Sequence, residues 1–233
     1  MTKIAAKTDP RSPPRRNLPA HERRQELLDA AVEIYAQKGL GITVQELADR
    51  VNVTQPLVHR YFPTKADLIA AIRDVLHNAH WDPAWREILA DPNESLRDRL
   101  KNFYAAYLPT IFKSRWYRGF MFFALSDDAF AHSYLMKFKS ELFPEIVRAA
   151  RHEFGFPSPD EIAITEREIE LIWGFHSTAS FSGMRIYVYQ MPLASDVGEI
   201  MADQINAYLA VVGAVMADVM PKAKGGARRS GAR

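Results

Sequence analysis

Between Thr43 and Phe62, two short amphipathic stretches are separated by only three residues, and this constrains the fold more tightly than any other feature. Val44, Leu47, Ala48 and Val51 recur at i, i+3, i+4 and i+7, one face of a helix. Thr43 and Glu46 precede that stripe as a T-x-x-E capping box, in which each side chain satisfies an orphan amide of the first turn. Asn52 stops the helix, because asparagine enters the left-handed backbone region more readily than most residues. Thr54 reads as a second N-cap, and Pro56 falls in the first turn, where a missing N–H costs little. The spacing predicts helix, three-residue turn, helix over 43–62, with the second helix at Gln55–Tyr61. That is the helix-turn-helix pattern, whose second helix enters the major groove of DNA. A plain αα-hairpin inside a helical bundle has the same pattern.

Helical periodicity continues on both sides. Leu27, Ala30, Ala31 and Ile34 predict a helix from His21 to Lys38, stopped by Gly39. Another helix opens at Thr64 and runs through Leu68, Ile69, Ile72 and Val75. Further helices are expected near 82–90, 94–113, 115–126 and 128–153. Ser158 and Glu161 form a capping box with Pro159 between them, and Thr165 and Glu168 form one that opens a helix to about Tyr189. Pro192 ends that helix, and a last one is expected from Ser195 to Val219. No alternating strand pattern survives, so the expected fold class is all-α. The expected division is a helix-turn-helix domain over 21–68 and a larger helical domain over 69–220.

Net charge over the 233 residues is only +2, but it is unevenly spread. Residues 1–24 carry +5, residues 222–233 carry another +5, and the acidic body between them carries −8. Residues 1–20 are expected to be a disordered basic arm and 221–233 a disordered basic tail. Basic ends on an acidic body suit a polyanion partner such as DNA, and equally a pair of solvated ends. The absence of cysteine excludes disulfide scaffolds, cysteine-ligated zinc and thiol catalysis, and permits a reducing cytoplasm. The longest uncharged runs, 171–184 and 204–217, are 14 residues each, short of the roughly 18 that a membrane span needs. G-x-S-x-G, phosphate-loop and H-E-x-x-H signatures are missing, so no enzyme class, cofactor or metal site is expected. His77 and His80 share a helical spacing but have no third ligand nearby, which marks them as packing or surface residues.

Residues 23–72 resemble the DNA-binding domain of TetR-family transcriptional regulators. The resemblance rests on Arg24-Gln25-Glu26-Leu27-Leu28-Asp29-Ala30-Ala31, then Tyr35 and Lys38-Gly39. It continues through Ile42-Thr43-Val44-Gln45-Glu46-Leu47-Ala48, then Val51 to Phe62, and ends on Pro63-Thr64-Lys65-Ala66-Asp67-Leu68-Ile69. Two positions depart from the family pattern: Asn52 stands where the turn usually has Gly, and His59 where the recognition helix usually has Tyr.

The resemblance implies DNA contacts from Thr43, Thr54, Gln55, Pro56, His59, Arg60, Tyr61 and Lys65. Gln55 begins the recognition helix, and its amide has the donor and acceptor that an adenine edge takes. Thr43 and Thr54 expose hydroxyls at helix N-termini, which favour phosphate. Lys65 sits in a first turn, where a cation opposes the helix dipole unless an anion lies nearby. Leu47, Ala48, Val51, Val58 and Phe62 are assigned to the core.

In the second domain, thirteen aromatic residues fall within positions 103–143. Individually they read as core. The resemblance implies an effector pocket among them, with Tyr104, Tyr107, Trp116, Phe120, Trp173, His176 and Arg185 as candidates. A small apolar or aromatic effector suits such a pocket. The resemblance also implies a homodimer through the last two helices, with Gly174, Ser177, Ser180 and Gly183 on one and Ile205, Leu209, Val212 and Met216 on the other. Such a dimer would bind a palindromic operator on double-stranded DNA, as a repressor released by its effector. The competing reading is a helical adaptor that binds only protein.

Overall fold

A computed structural model describes residues 18–78 and 81–220, and every regular element among them is helical. The basic arm (apart from 18–20), the basic tail and His80 lie outside the described residues. The helices are α1 (Ala20–Lys38), α2 (Val44–Arg50), α3 (Gln55–Tyr61), α4 (Lys65–Asn78), α5 (Ala84–Ala90), α6 (Leu96–Ile111), α7 (Ser114–Ser126), α8 (Asp128–Lys137), α9 (Phe143–Phe154), α10 (Glu166–Tyr187) and α11 (Val197–Val219).

The first three helices close around a small core. Leu27, Ala31 and Tyr35 of α1 meet Ile42, Leu47, Ala48, Val58 and Phe62, all buried. Thr43 caps α2 with the reciprocal bonds of a capping box to Glu46. Asn52 takes φ +54 in the turn, as its side chain permits. Thr54 occupies the N-cap of α3, but its side chain makes no capping bond. Pro56, two residues on, has no amide to offer it.

α4 runs without interruption across 68/69, so the two units are joined by a helix rather than a linker. Along its length it contributes Leu68, Ile72 and Leu76 to one continuous buried core. α7 packs on α1, α4 and α10 together. Gly39 follows α1 at φ +57, ψ −135, a conformation that only glycine adopts readily. Phe122 of α7 leans over it, only 2.8 Å from where a Cβ would stand.

Two expectations give way. The stretch 128–153 is helical throughout, but not uniformly α: a π turn at Phe138–Leu142 separates α8 from α9. Pro144 lies in the first turn of α9, has no N–H, and its ring crowds the carbonyl four residues back, so the backbone widens there. No helix starts at Ser158. Its amide does bond Glu161 at 3.1 Å, but only a turn follows. The carbonyls of Pro157, Ile162 and Ala163 are instead taken by the buried guanidinium of Arg151, which also forks onto Glu168 at 2.8 and 2.7 Å. Glu168 in turn completes the Thr165 capping box that opens α10.

α11 is long and apolar enough to cross a membrane by length and composition. It packs against α6, α9 and α10 through Met201, Ile205, Tyr208, Val212 and Met216.

Candidate nucleic-acid interface and effector cavity

The apolar side of α3 is spent on the core through Val58, which leaves the opposite side for solvent. Thr43, Thr54, Gln55, Pro56, His59, Arg60 and Lys65 are all exposed, and Tyr61 is half-buried. The eight positions read from the sequence thus fall on α3, its N-cap and the caps or first turns of α2 and α4.

Several of these side chains are already oriented. The Gln55 amide donates to the Gln45 carbonyl, and the Gln45 amide donates to Asp49 at 2.7 Å. One N–H and the carbonyl oxygen of Gln55 remain for another partner. Gln45 was not singled out in the sequence; the signal for it was its place on the same exposed side of α2 as Thr43. His59 Nδ1 lies 3.1 Å from the Pro63 carbonyl. A carbonyl only accepts, so Nδ1 carries the proton and donates, and Nε2 is left as the outward-facing nitrogen. Arg60 donates to the Tyr61 hydroxyl at 3.1 Å and lies over its ring. The Lys65 ammonium donates to the Leu40 carbonyl at 2.7 Å, which offsets part of the cost of a cation in a first turn and leaves two of its three protons for another acceptor. Arg24 lies over the buried Phe62 ring, and Arg23 pairs with Glu26.

A second site lies within the larger helical body. A cavity of about 190 Å³ opens between α6, α7, α8 and α10. Tyr107, Trp116, Phe120, Trp173 and His176 line it, as the sequence reading expected. Ile111, Tyr117, Met121, Tyr134, Leu135, Phe138, Ser177 and Ser180 complete the lining. Tyr104 stands behind it, with its hydroxyl 2.9 Å from His176 Nδ1. Arg185 does not line it. Its guanidinium donates to the Pro192 carbonyl beyond the end of α10. Tyr134 and Phe138 gave no separate sequence signal, because core and lining aromatics share one helical spacing.

Burial sets the protonation states here. It pushes the His176 imidazole down to about 4, so the ring is neutral at physiological pH. Burial also raises the phenols of Tyr104, Tyr107 and Tyr134, with neighbouring phenols adding to the first two. His77 is a packing residue, 2.8 Å from Ser133 Oγ and edge-on to Phe130 and Tyr134. Among the described residues, no group of three or more His, Cys, Asp or Glu side chains is placed to hold a metal ion.

The stripes read as a dimer face divide differently. Ile205, Val212 and Met216 are buried within the chain. Gly183 is buried too: a Cβ there would stand 2.3 Å from the Tyr117 ring. The bare face instead carries Gly174, Ser177, Ser180 and Phe181 of α10 with Ala207, Ala210, Val211 and Ala214 of α11.

Residues 27–72 match the sequence model of the bacterial regulatory proteins of the tetR family. The HTH-type transcriptional activator FasR of Mycolicibacterium smegmatis is 38% identical over 56 residues, 24% of this chain and 26% of that protein. The match therefore spans about a quarter of the curated relative's length. Solved structures extend the likeness in fold. A tetR-family transcriptional regulator from Streptomyces coelicolor superposes with a TM-score of 0.59 at 16% identity, over 86% of this chain and 85% of that one. The ketosteroid transcriptional regulator KstR2 of Mycobacterium tuberculosis gives 0.57 at 18% identity, over 81% and 93%. The helix-turn-helix segment thus matches the tetR family model, and the helical fold that continues beyond it is similar to that of solved TetR-family regulators.

Proposed function

We propose that the chain is a ligand-responsive transcriptional repressor that binds a palindromic operator as a homodimer. The observation that carries this reading is the exposure of Thr54, Gln55, Pro56, His59 and Arg60 on a helix that is anchored in the core by Val58. Gln55, held by Gln45, is assigned to a base edge, and Thr43, Thr54, Tyr61 and Lys65 to phosphates. His59 and Arg60 face the same groove. The bare small-residue face of α10 and α11 is the proposed contact with a second copy, so that two copies of α3 are presented by a two-fold axis. The cavity between α6, α7, α8 and α10 is the proposed effector site. An effector there acts by favouring a different spacing of the two α3 helices, and it shifts the equilibrium only by its differential affinity for the two arrangements.

The test is binding of the full chain to DNA flanking its own coding region, titrated with salt and compared with scrambled DNA. Sequence-selective binding at two chains per site, weakened by effector, supports the proposal. Equal weak binding to both fragments favours the adaptor reading, because the basic ends alone would explain it. The M. smegmatis relative is by its name an activator, so activation is the second reading. A reporter under the bound promoter separates the two by the direction in which expression moves when the chain is removed.

A further inference from the structure

The chemistry of the cavity narrows its occupant to one class, an inference that rests on the proposal that this cavity is the effector site. Among the described lining residues there is no Lys, Arg, Asp or Glu. Its imidazole, that of His176, is held neutral by burial and is engaged at Nδ1 by Tyr104. An anionic effector would therefore lose its water and gain no countercharge, a cost that binding does not recover. Size sets a second limit. A dry apolar cavity of about 150 Å³ takes up benzene. At about 190 Å³ this one has room for somewhat more, a molecule of one or two rings.

One polar group inside is unmet. The Tyr134 side chain is 2% exposed, and its hydroxyl has no hydrogen-bond partner. The Tyr107 phenol stands as a hydrogen-bonding neighbour outside ordinary bond geometry, and a phenol that meets one neighbour still has capacity for a second oxygen. A buried hydroxyl left open in this way is costly, and an arriving oxygen would satisfy it. Around it stand the rings of Trp116, Phe120 and Phe138, 5.9, 5.0 and 5.6 Å from the Tyr134 ring.

We infer that the effector is a neutral aromatic molecule of one or two rings carrying one oxygen, and that this oxygen is met by the Tyr134 hydroxyl. Aromatic walls receive the rings by edge and offset contacts.

The experiment is calorimetry on the full chain at pH 7 with three probes of the same shape: 2-naphthol, naphthalene and 2-naphthoate. The expected result is one 2-naphthol per chain, naphthalene weaker, and no heat from 2-naphthoate. Tyr134→Phe should weaken 2-naphthol about two- to tenfold, the loss of one hydrogen bond, and leave naphthalene unchanged. The ligand-free variant should melt no lower than the parent, since it removes only an unpartnered hydroxyl. The inference is overturned if 2-naphthoate binds as tightly as 2-naphthol, if Tyr134→Phe leaves 2-naphthol binding unchanged, or if none of the three binds. Operator binding by the same ligand-free preparation keeps the two readings apart. Selective DNA binding without 2-naphthol binding sinks the cavity chemistry alone, whereas loss of selective DNA binding counts against the regulator.

Discussion

Arg118 of α7 donates through Nε to the carbonyl of Ala36 in α1 at 2.8 Å. Its Nη1 donates to the carbonyl of Tyr187, the last residue of α10, at 3.0 Å. One guanidinium thus fastens a helix of the helix-turn-helix unit to a helix that lines the cavity. Both acceptors lie near helix C-termini, where the macrodipole favours a cation. The neighbouring residues of α7, Tyr117 and Met121, face the cavity.

Replacing Arg118 with Ala should cost about 1–3 kcal/mol, because two carbonyls lose a charged donor. Arg118→Lys should recover less than half, since a single ammonium lacks the planar fork that reaches both oxygens. Thermal melts measure the cost. If α7 carries the effector signal to α1, operator release by saturating effector should also be blunted in Arg118→Ala, as read in a band-shift titration.

Arg151 and Glu168 are a buried ion pair, 0% and 2% exposed. Burial pushes the Glu168 carboxyl up, but the Arg151 guanidinium and the Thr165 amide and hydroxyl outweigh it, and the net shift is downward. A depressed carboxylate contributes stability that is present above its unfolded value and is lost as pH falls through the folded one. Removing one partner leaves a buried charge, so Arg151→Met should cost about 3–5 kcal/mol at pH 7 by chemical denaturation. In Glu168→Gln, the part of the acid-dependent loss that begins below the ordinary carboxylate range should disappear.

His176 titrates in a different window. Its value falls from 6.5 to about 4 on folding, because burial disfavours the imidazolium. The unfolded chain binds the proton first, so stability is full above pH 6.5 and declines as pH falls toward 4. The decline should amount to about 3 kcal/mol, at 1.36 kcal/mol per pKa unit. His176→Gln should flatten the pH 6.5–4 segment of the stability curve and leave the segment below it intact.

On DNA, Gln55→Ala should relax the choice of base at one position per half-site, at about 1–3 kcal/mol of discrimination. Lys65→Ala should weaken all sequences alike and lower the salt slope by about 1. Competition binding over a randomised operator separates these two outcomes. A uniform effect from Gln55→Ala would remove it from base readout.

The helix-turn-helix was legible because its signals are local. The Thr43–Glu46 box, the Asn52 turn and the four-residue apolar stripe each act within one or two turns. The Ser158 box was misread for the opposite reason: Arg151, on another helix, takes the carbonyls that a helix there would use. Pro144 is a local signal that outweighed the periodicity of 128–153. At the cavity, spacing identified aromatic residues but not which of them stand around empty space. Tyr104 and Tyr107 share a helix, yet only Tyr107 reaches the lining. On α11, apolar residues occupy both faces, so spacing alone does not separate the side packed within the chain from the bare one: Val212 is buried and its neighbour Val211 is exposed.

Gly39 sets a limit on how this chain can vary. Its backbone conformation excludes nearly every side chain, and the Phe122 ring excludes even a methyl group. Leu40 beside it is half in solvent and free of both demands. In a saturation library selected for folding, position 39 should return a single amino acid while position 40 returns many. Drift where α1 turns toward α2 is therefore closed at position 39 and open at position 40.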